Sequence, residues 1–187
     1  MRKRTTQTLS WVSLLAVVLL GLAARPAPAP LRGTTVYVFL AQTCPISQQA
    51  ALPLRELHTR YAGQGVRFVG VFPEREATPA ALAAWARTYS LPFELRPDPG
   101  LKLTRQLKAT TTPEAVVLAA DGRTIRYQGR LDDQYAALGE RRTISNHHEL
   151  AEALADLAAR RPVAVPRTEP VGCFIELSSS AHPAAGN

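Results

Sequence analysis

Two cysteines carry the most reactive side chains in this sequence, and Cys44 sits where a helix is expected to begin. Pro45 follows it and supplies a fixed φ at a position whose amide hydrogen would have no helical partner. Unpaired amides and the helix dipole favour negative charge at such a start. A thiolate is the nucleophile in disulfide exchange, so lowering the thiol pKa increases its reactive fraction near neutral pH. Ser47, three residues on, lies over the same part of the helix; its hydroxyl can donate a hydrogen bond to the sulfur but cannot close a disulfide. Working alone, Cys44 would stop at a mixed disulfide or a sulfenic acid until a second thiol arrived. Cys173 is the candidate resolving thiol within the chain. The segment from Pro162 to Cys173 can extend about 40 Å, comparable with a domain whose radius of gyration is about 15 Å. Reach therefore permits the pairing, and a partner's thiol would serve equally well. A permanent Cys44–Cys173 staple in an oxidising compartment is the rival reading.

Other candidates read more plainly. His147 and His148 fall in the first turn expected of the last helix, and adjacent helical residues point in different directions, so they are expected as solvated side chains without a shared metal. There is no Cys-x-x-Cys-His for haem and no cysteine pair at zinc spacing, so no metal or cofactor is expected. Asp132 and Asp133 read as a solvated turn, and Trp85 and Tyr89, four apart, as packing residues.

The elements that would hold Cys44 alternate between short apolar runs and helical periods. Residues 34–41 are apolar on both alternating faces, as in a central strand covered on both sides. From 44 to 62, Ile46, Ala50, Leu54, Leu57 and Tyr61 recur at spacings of three and four and mark one helical face, with a kink expected from Pro53. Residues 66–72 form a second strand, and 78–89 a helix capped by Thr78 with Pro79 in its first turn. That order implies a right-handed parallel unit. A short helix at 101–107 precedes strands 115–119 and 124–128, joined as an antiparallel hairpin by the turn Asp121-Gly122. A final helix from Ser145 or Asn146 to Arg161 buries Leu150, Ala153, Leu154 and Leu157.

Length and composition set the frame. A chain of 187 residues with 46% hydrophobic and 20% charged residues suits one compact domain plus tails. Residues 1–30 read as a secretory signal or an N-terminal membrane anchor: a basic start, an apolar run over 9–24, then alternating proline and alanine. Residues 31–161 form the expected domain, and 162–187 an extended tail broken by Pro166 and Pro170. Four of the 22 lysines and arginines and none of the 15 acidic residues precede Pro30, leaving 18 against 15, a net +3. So mild an excess, without a basic run, gives no reason to expect nucleic acid as a partner. An exported protein of the periplasm or cell envelope is expected.

The βαβα then ββα order resembles the thioredoxin fold, an α/β architecture with a central mixed sheet, a βαβ half and a ββα half, and helices on both faces. The likeness covers about residues 34–161. Within that class the sequence is similar to bacterial redoxins related to the thiol-specific antioxidant proteins and to TlpA-like thiol oxidoreductases. Thr43-Cys44-Pro45-Ile46-Ser47, Thr111-Thr112-Pro113-Glu114, and Asp121-Gly122-Arg123 with Tyr127-Gln128-Gly129-Arg130 carry the resemblance, joined by Pro170-Val171-Gly172-Cys173.

The resemblance implies that Ser47 stands where two-cysteine redoxins have their resolving cysteine. It also places Thr112-Pro113 at a cis-proline loop facing the active sulfur, where Pro45, Thr112 and Pro113 would bind an extended substrate segment. The implied activity is thiol-disulfide exchange with protein thiols, disulfides or a redox partner protein. Two alternatives stay open. A peroxiredoxin-type peroxidase would want a proline and a threonine or serine where Tyr37 and Ala41 stand, although Thr43 is adjacent and Arg130 offers positive charge. A non-catalytic binding module would present the Thr112-Pro113 surface alone.

Overall fold

The structure, a computed structural model, describes residues 31–177. The expected signal or anchor at 1–30 lies outside the described residues. Among the described residues no helix is long and apolar enough to cross a membrane.

The core is a five-stranded sheet in the order β3-β2-β1-β5-β6, made of β1 (Thr35–Phe39), β2 (Arg67–Phe72), β3 (Glu94–Pro97), β5 (Glu114–Leu118) and β6 (Ile125–Gly129). β1, β2 and β3 run parallel, whereas β5 and β6 are antiparallel to their neighbours, so β1 joins the two halves. This is the expected thioredoxin-like mixed sheet. Strand alternation splits the apolar residues between two faces. On one, Val36, Val38, Phe72, Val117 and Tyr127 meet Leu54, Leu82, Leu150 and Leu154 from helices; on the other, Phe39, Val69, Val71 and Val116 meet Leu107.

The first helix is divided at Ala50 into α1 (Pro45–Gln49) and α2 (Ala51–Tyr61). Pro53 explains the break, because its ring has no N–H to offer and crowds the carbonyl four residues back, that of Gln49. α3 (Pro79–Thr88) begins as expected, with the Thr78 hydroxyl accepting from the Ala81 amide at 3.2 Å. α4 (Lys102–Leu107) is held at its start by Asp98, whose carboxylate accepts from the amides of Lys102, Leu103 and Thr104. The hairpin turn stands where Asp121-Gly122 predicts it, with Asp121 accepting from the amides of Arg123 and Thr124.

Several expectations are corrected. β3 stands where no element was expected, because Pro97 and its charged residues read as a loop and only one side of it is partnered. α5 (Glu149–Ala158) begins after His148 rather than at 145 or 146. The cause is Asp133, which is 4% exposed rather than solvated and accepts from the Ser145 hydroxyl and the amides of Asn146 and His147. Those amides, committed to Asp133, lie in a loop, so the two histidines precede the helix. Finally, a small hairpin, β7 (Tyr135–Ala137) with β8 (Glu140–Arg141), projects where no element was expected.

The tail is not free. Its Pro166 carbonyl accepts from the Gln128 amide at 3.0 Å, and its Thr168 amide donates to the Gln128 carbonyl at 3.1 Å, along the outer edge of β6. Further on, β9 (Cys173–Phe174) pairs antiparallel with β4 (Thr111–Thr112), the short strand before Pro113.

Candidate functional site

Cys44 is the N-cap of α1, with extended backbone at φ −78° and ψ 116°. The loop leading to it is fixed from two sides. The Ala41 amide donates to the Ser47 hydroxyl at 3.2 Å, and the Cys44 amide to the Ala41 carbonyl at 3.3 Å. Glu74, at the end of the segment after β2, accepts the Gln42 amide on both oxygens at 3.1 and 3.0 Å, while Gln48 donates to the Gln42 carbonyl at 2.9 Å. Gln42 and Thr43 therefore cannot swing away from the helix without breaking several bonds.

Opposite the sulfur lies the Thr112–Pro113 bond, which is cis. The Cys44 Sγ is 3.4 Å from the Thr112 carbonyl oxygen, and the Cys173 Sγ, donating, is 2.7 Å from the Cys44 Sγ. Both cysteines are free thiols. The structure thus brings together Cys44, Ser47, Thr112, Pro113 and Cys173 from three separate parts of the chain. Pro45 is exposed at the first turn of α1, and Pro113 faces a second cleft with Ile46, Pro53, Arg130 and Val171.

Disulfide exchange needs a reachable sulfur, yet Cys44 is 2% exposed. The tail lies over it, with the Cys173 Sγ against the Cys44 Sγ. Cys44 lines a cleft with Thr43, Glu74, Arg105, Thr112 and Phe174, and β9 lies across that cleft.

The two thiols are electrostatically unlike. Burial, the largest influence on Cys44, raises its pKa, but hydrogen bonds from the Cys173 thiol and from the amide and hydroxyl of Ser47 outweigh it and hold Cys44 below the ordinary thiol value. Burial pushes Cys173 up to about 11, helped by its bond to Cys44 and by the charge there. The pair is therefore polarised: Cys44 gives up its proton more readily than Cys173.

Several residues that organise this site stand in the sequence only as members of the motifs named above, with no role of their own expected. Glu114, buried in β5 directly after Pro113, accepts the amides of Thr110 at 2.8 Å and Thr111 at 3.3 Å, and the Gln128 side-chain amide at 2.7 Å. Gln128 also donates to the carbonyls of Leu107 and Lys108 and accepts from Arg167 of the tail. A carboxylate and an amide inside otherwise apolar strands were the available signal. Gly172 was the other, since a Cβ there would collide with the Thr112 carbonyl. Arg130 is committed elsewhere, pairing with Glu149 at 2.6 Å. Among the described residues no cluster of three or more His, Cys, Asp or Glu side chains could hold a metal ion.

A mixed five-stranded sheet of this order, with a cysteine at the first helix start facing a cis-proline loop, defines the class as a thioredoxin-fold redoxin. Residues 29–128, more than half of the chain, match the AhpC/TSA family, and the chain belongs to that family. It is similar to an uncharacterized conserved protein from Geobacillus kaustophilus at 24% identity, with a TM-score of 0.69 over 83% of this chain and 82% of that one. A hypothetical protein from Sinorhizobium meliloti 1021 is 19% identical, with a TM-score of 0.68 over 82% of both chains. A thioredoxin-like protein solved in its oxidized form is 16% identical, with a TM-score of 0.53 over 70% of this chain and 80% of that one. A search of curated proteins finds no match to this chain.

Proposed function

We propose that this chain is an exported thiol-disulfide oxidoreductase in which Cys44 is the nucleophile and Cys173 the resolving thiol. The observation that carries the reading is the 2.7 Å contact between two sulfurs 129 residues apart, one at a helix start and held low in pKa, the other held high. The export half rests on the basic, apolar and Pro-Ala order of residues 1–30.

In the exchange, the Cys44 thiolate attacks one sulfur of a substrate disulfide. A Cys44–substrate bond forms, the substrate S–S bond breaks, and the departing thiolate takes up a proton. Cys173 then gives up its proton and attacks the Cys44 sulfur. The mixed disulfide breaks, the second substrate sulfur leaves as a thiol, and a Cys44–Cys173 disulfide remains. Two electrons have passed from the cysteine pair to the substrate, and the same steps in reverse oxidise a dithiol. Ser47 is a positioning and charge-stabilising residue: it anchors the Ala41 amide and donates toward the thiolate. Peroxidase chemistry has less support, because Ala41 offers no hydroxyl and Arg130 is neutralised by Glu149.

The test is dithiol-driven reduction of insulin disulfides. Cys44→Ser should lose the activity to background, and Cys173→Ser should accumulate a mixed disulfide on Cys44 visible as added mass. Full activity in Cys44→Ser would sink the assignment.

A further inference from the structure

The tail divides into two stretches with different attachments. In the first, Pro166 and Thr168 bond the backbone of Gln128, and the Thr168 hydroxyl meets the Tyr127 hydroxyl at 2.8 Å and accepts the Arg130 amide at 3.1 Å. Gly129, at φ +151°, leaves the room this requires, because a Cβ there would strike Thr168. In the second, the Ile175 amide donates to the Thr110 carbonyl at 2.9 Å, the Thr112 hydroxyl to the Cys173 carbonyl at 3.3 Å, and an Arg105 guanidinium to the Leu177 carbonyl at 3.2 Å. Phe174 is 79% exposed, and Glu176 and Leu177 are also exposed. The second stretch is therefore held mainly through its own main-chain groups at one strand edge, with Ile175 packed on the smaller apolar cluster.

An extended polypeptide bound at that edge would need the same groups: the Thr110 carbonyl, the Thr112 hydroxyl and the space beside Cys44. Two segments cannot hold them at once.

We propose that the Thr110–Thr112 edge is a docking site with two exclusive occupants, residues 171–177 of this chain and an extended cysteine-bearing polypeptide whose cysteine follows a glycine. The glycine requirement comes from Gly172, whose absent Cβ lets the strand pass against the Thr112 carbonyl and Pro113. When a substrate segment occupies the edge, residues 171–177 leave while Pro166–Thr168 stay attached. Cys173 thus remains tethered a few residues away, at an effective concentration of order mM for a short linker. Its return reclaims the edge, so resolution of the mixed disulfide and expulsion of the substrate segment are one movement. This deepens the redox reading and rests on it only for what the bound segment reacts with.

The probe is a fluorescein-labelled peptide of residues 170–177 with serine in place of its cysteine, which binds without sulfur chemistry. In the full chain, Gly172→Ala obstructs the chain's own strand but not the peptide, and peptide affinity should rise at least tenfold over wild type. The same peptide with alanine for its glycine should lose that binding. Equal affinity for wild type and Gly172→Ala, or no binding to the variant, would overturn the shared edge. Hydrogen exchange on the wild-type chain decides the matter even if the variant folds poorly. Saturating peptide should expose the Ile175 amide while leaving Thr168 protected; both unchanged, or both exposed, would overturn it. Loss of insulin reduction in Cys44→Ser is read separately, so the docking and redox readings can fail independently.

Discussion

Glu114→Gln replaces one carboxylate oxygen with an NH2 group at a position surrounded by donors. Two backbone amides and the Thr110 hydroxyl approach one oxygen, and the Gln128 side-chain amide approaches the other at 2.7 Å. Whichever way the new amide turns, its NH2 faces a donor. Gln128 cannot relieve the conflict by flipping, since its nitrogen also serves the carbonyls of Leu107 and Lys108 and its oxygen serves Arg167. A hydrogen bond to a charged group contributes about 1.5–3 kcal/mol, and a buried donor left unpaired costs about 1–3 kcal/mol. The substitution should therefore destabilise the fold by about 2–4 kcal/mol. With a urea slope of about 2 kcal/mol per molar, the unfolding midpoint should fall by about 1–2 M. Because the bonds lost are those of Thr110 and Thr111, exchange of the Ile175 amide should also accelerate under native conditions. A midpoint shift below about 0.3 M would refute the argument that Glu114 holds the loop beside Cys44.

Two further outcomes follow from the charges. A donor to a thiolate favours the charged form, so alkylation of Cys44 followed against pH should have its midpoint below the ordinary thiol range in wild type; Cys173→Ala, which removes the donor, should titrate higher than Cys173→Ser, which keeps one. Coincident titrations for the two variants would contradict the polarised pair. The Asp133 carboxyl is held well below the usual carboxylate range, first by the His147 amide and then by Ser145 and Asn146. Its stabilising effect is complete above the unfolded value of about 3.9 and is lost as pH falls through the folded one. The gap in urea midpoint between wild type and Asp133→Asn should be widest at pH 7 and narrow below about pH 4; a gap independent of pH would contradict this.

What the sequence made legible was local. The Thr78-Pro79 start, the Asp121-Gly122 hairpin and the break imposed by Pro53 each depend on residues within one turn of the chain, and all three stand where expected. The thioredoxin-like fold was legible as a resemblance, in the order of strands and helices around Cys44. What escaped depended on partners distant in sequence. Asp133 delays α5 by taking the amides of Asn146 and His147, and β3 is a strand only because β2 lies beside it. Cys44 and its helix start were readable; the strand that covers it was not. Reach alone left open whether Cys173 arrives beside Cys44, because the deciding contacts, those of Gly129 with Thr168 and of Gly172 with Thr112, join residues far apart in the chain.

The lateral borders of the main sheet also have a bearing on how copies of the chain behave toward one another. A bare strand border is a template for a second copy. At one flank β3 ends in Pro97 among further prolines at 92 and 99, which donate nothing; at the other, Gln128 already has both its main-chain groups taken by residues 166 and 168. Removing the chain from Pro166 onward would return those two groups to solvent and leave the border of β6 bare, so the segment that reaches the sulfur also closes that side of the sheet.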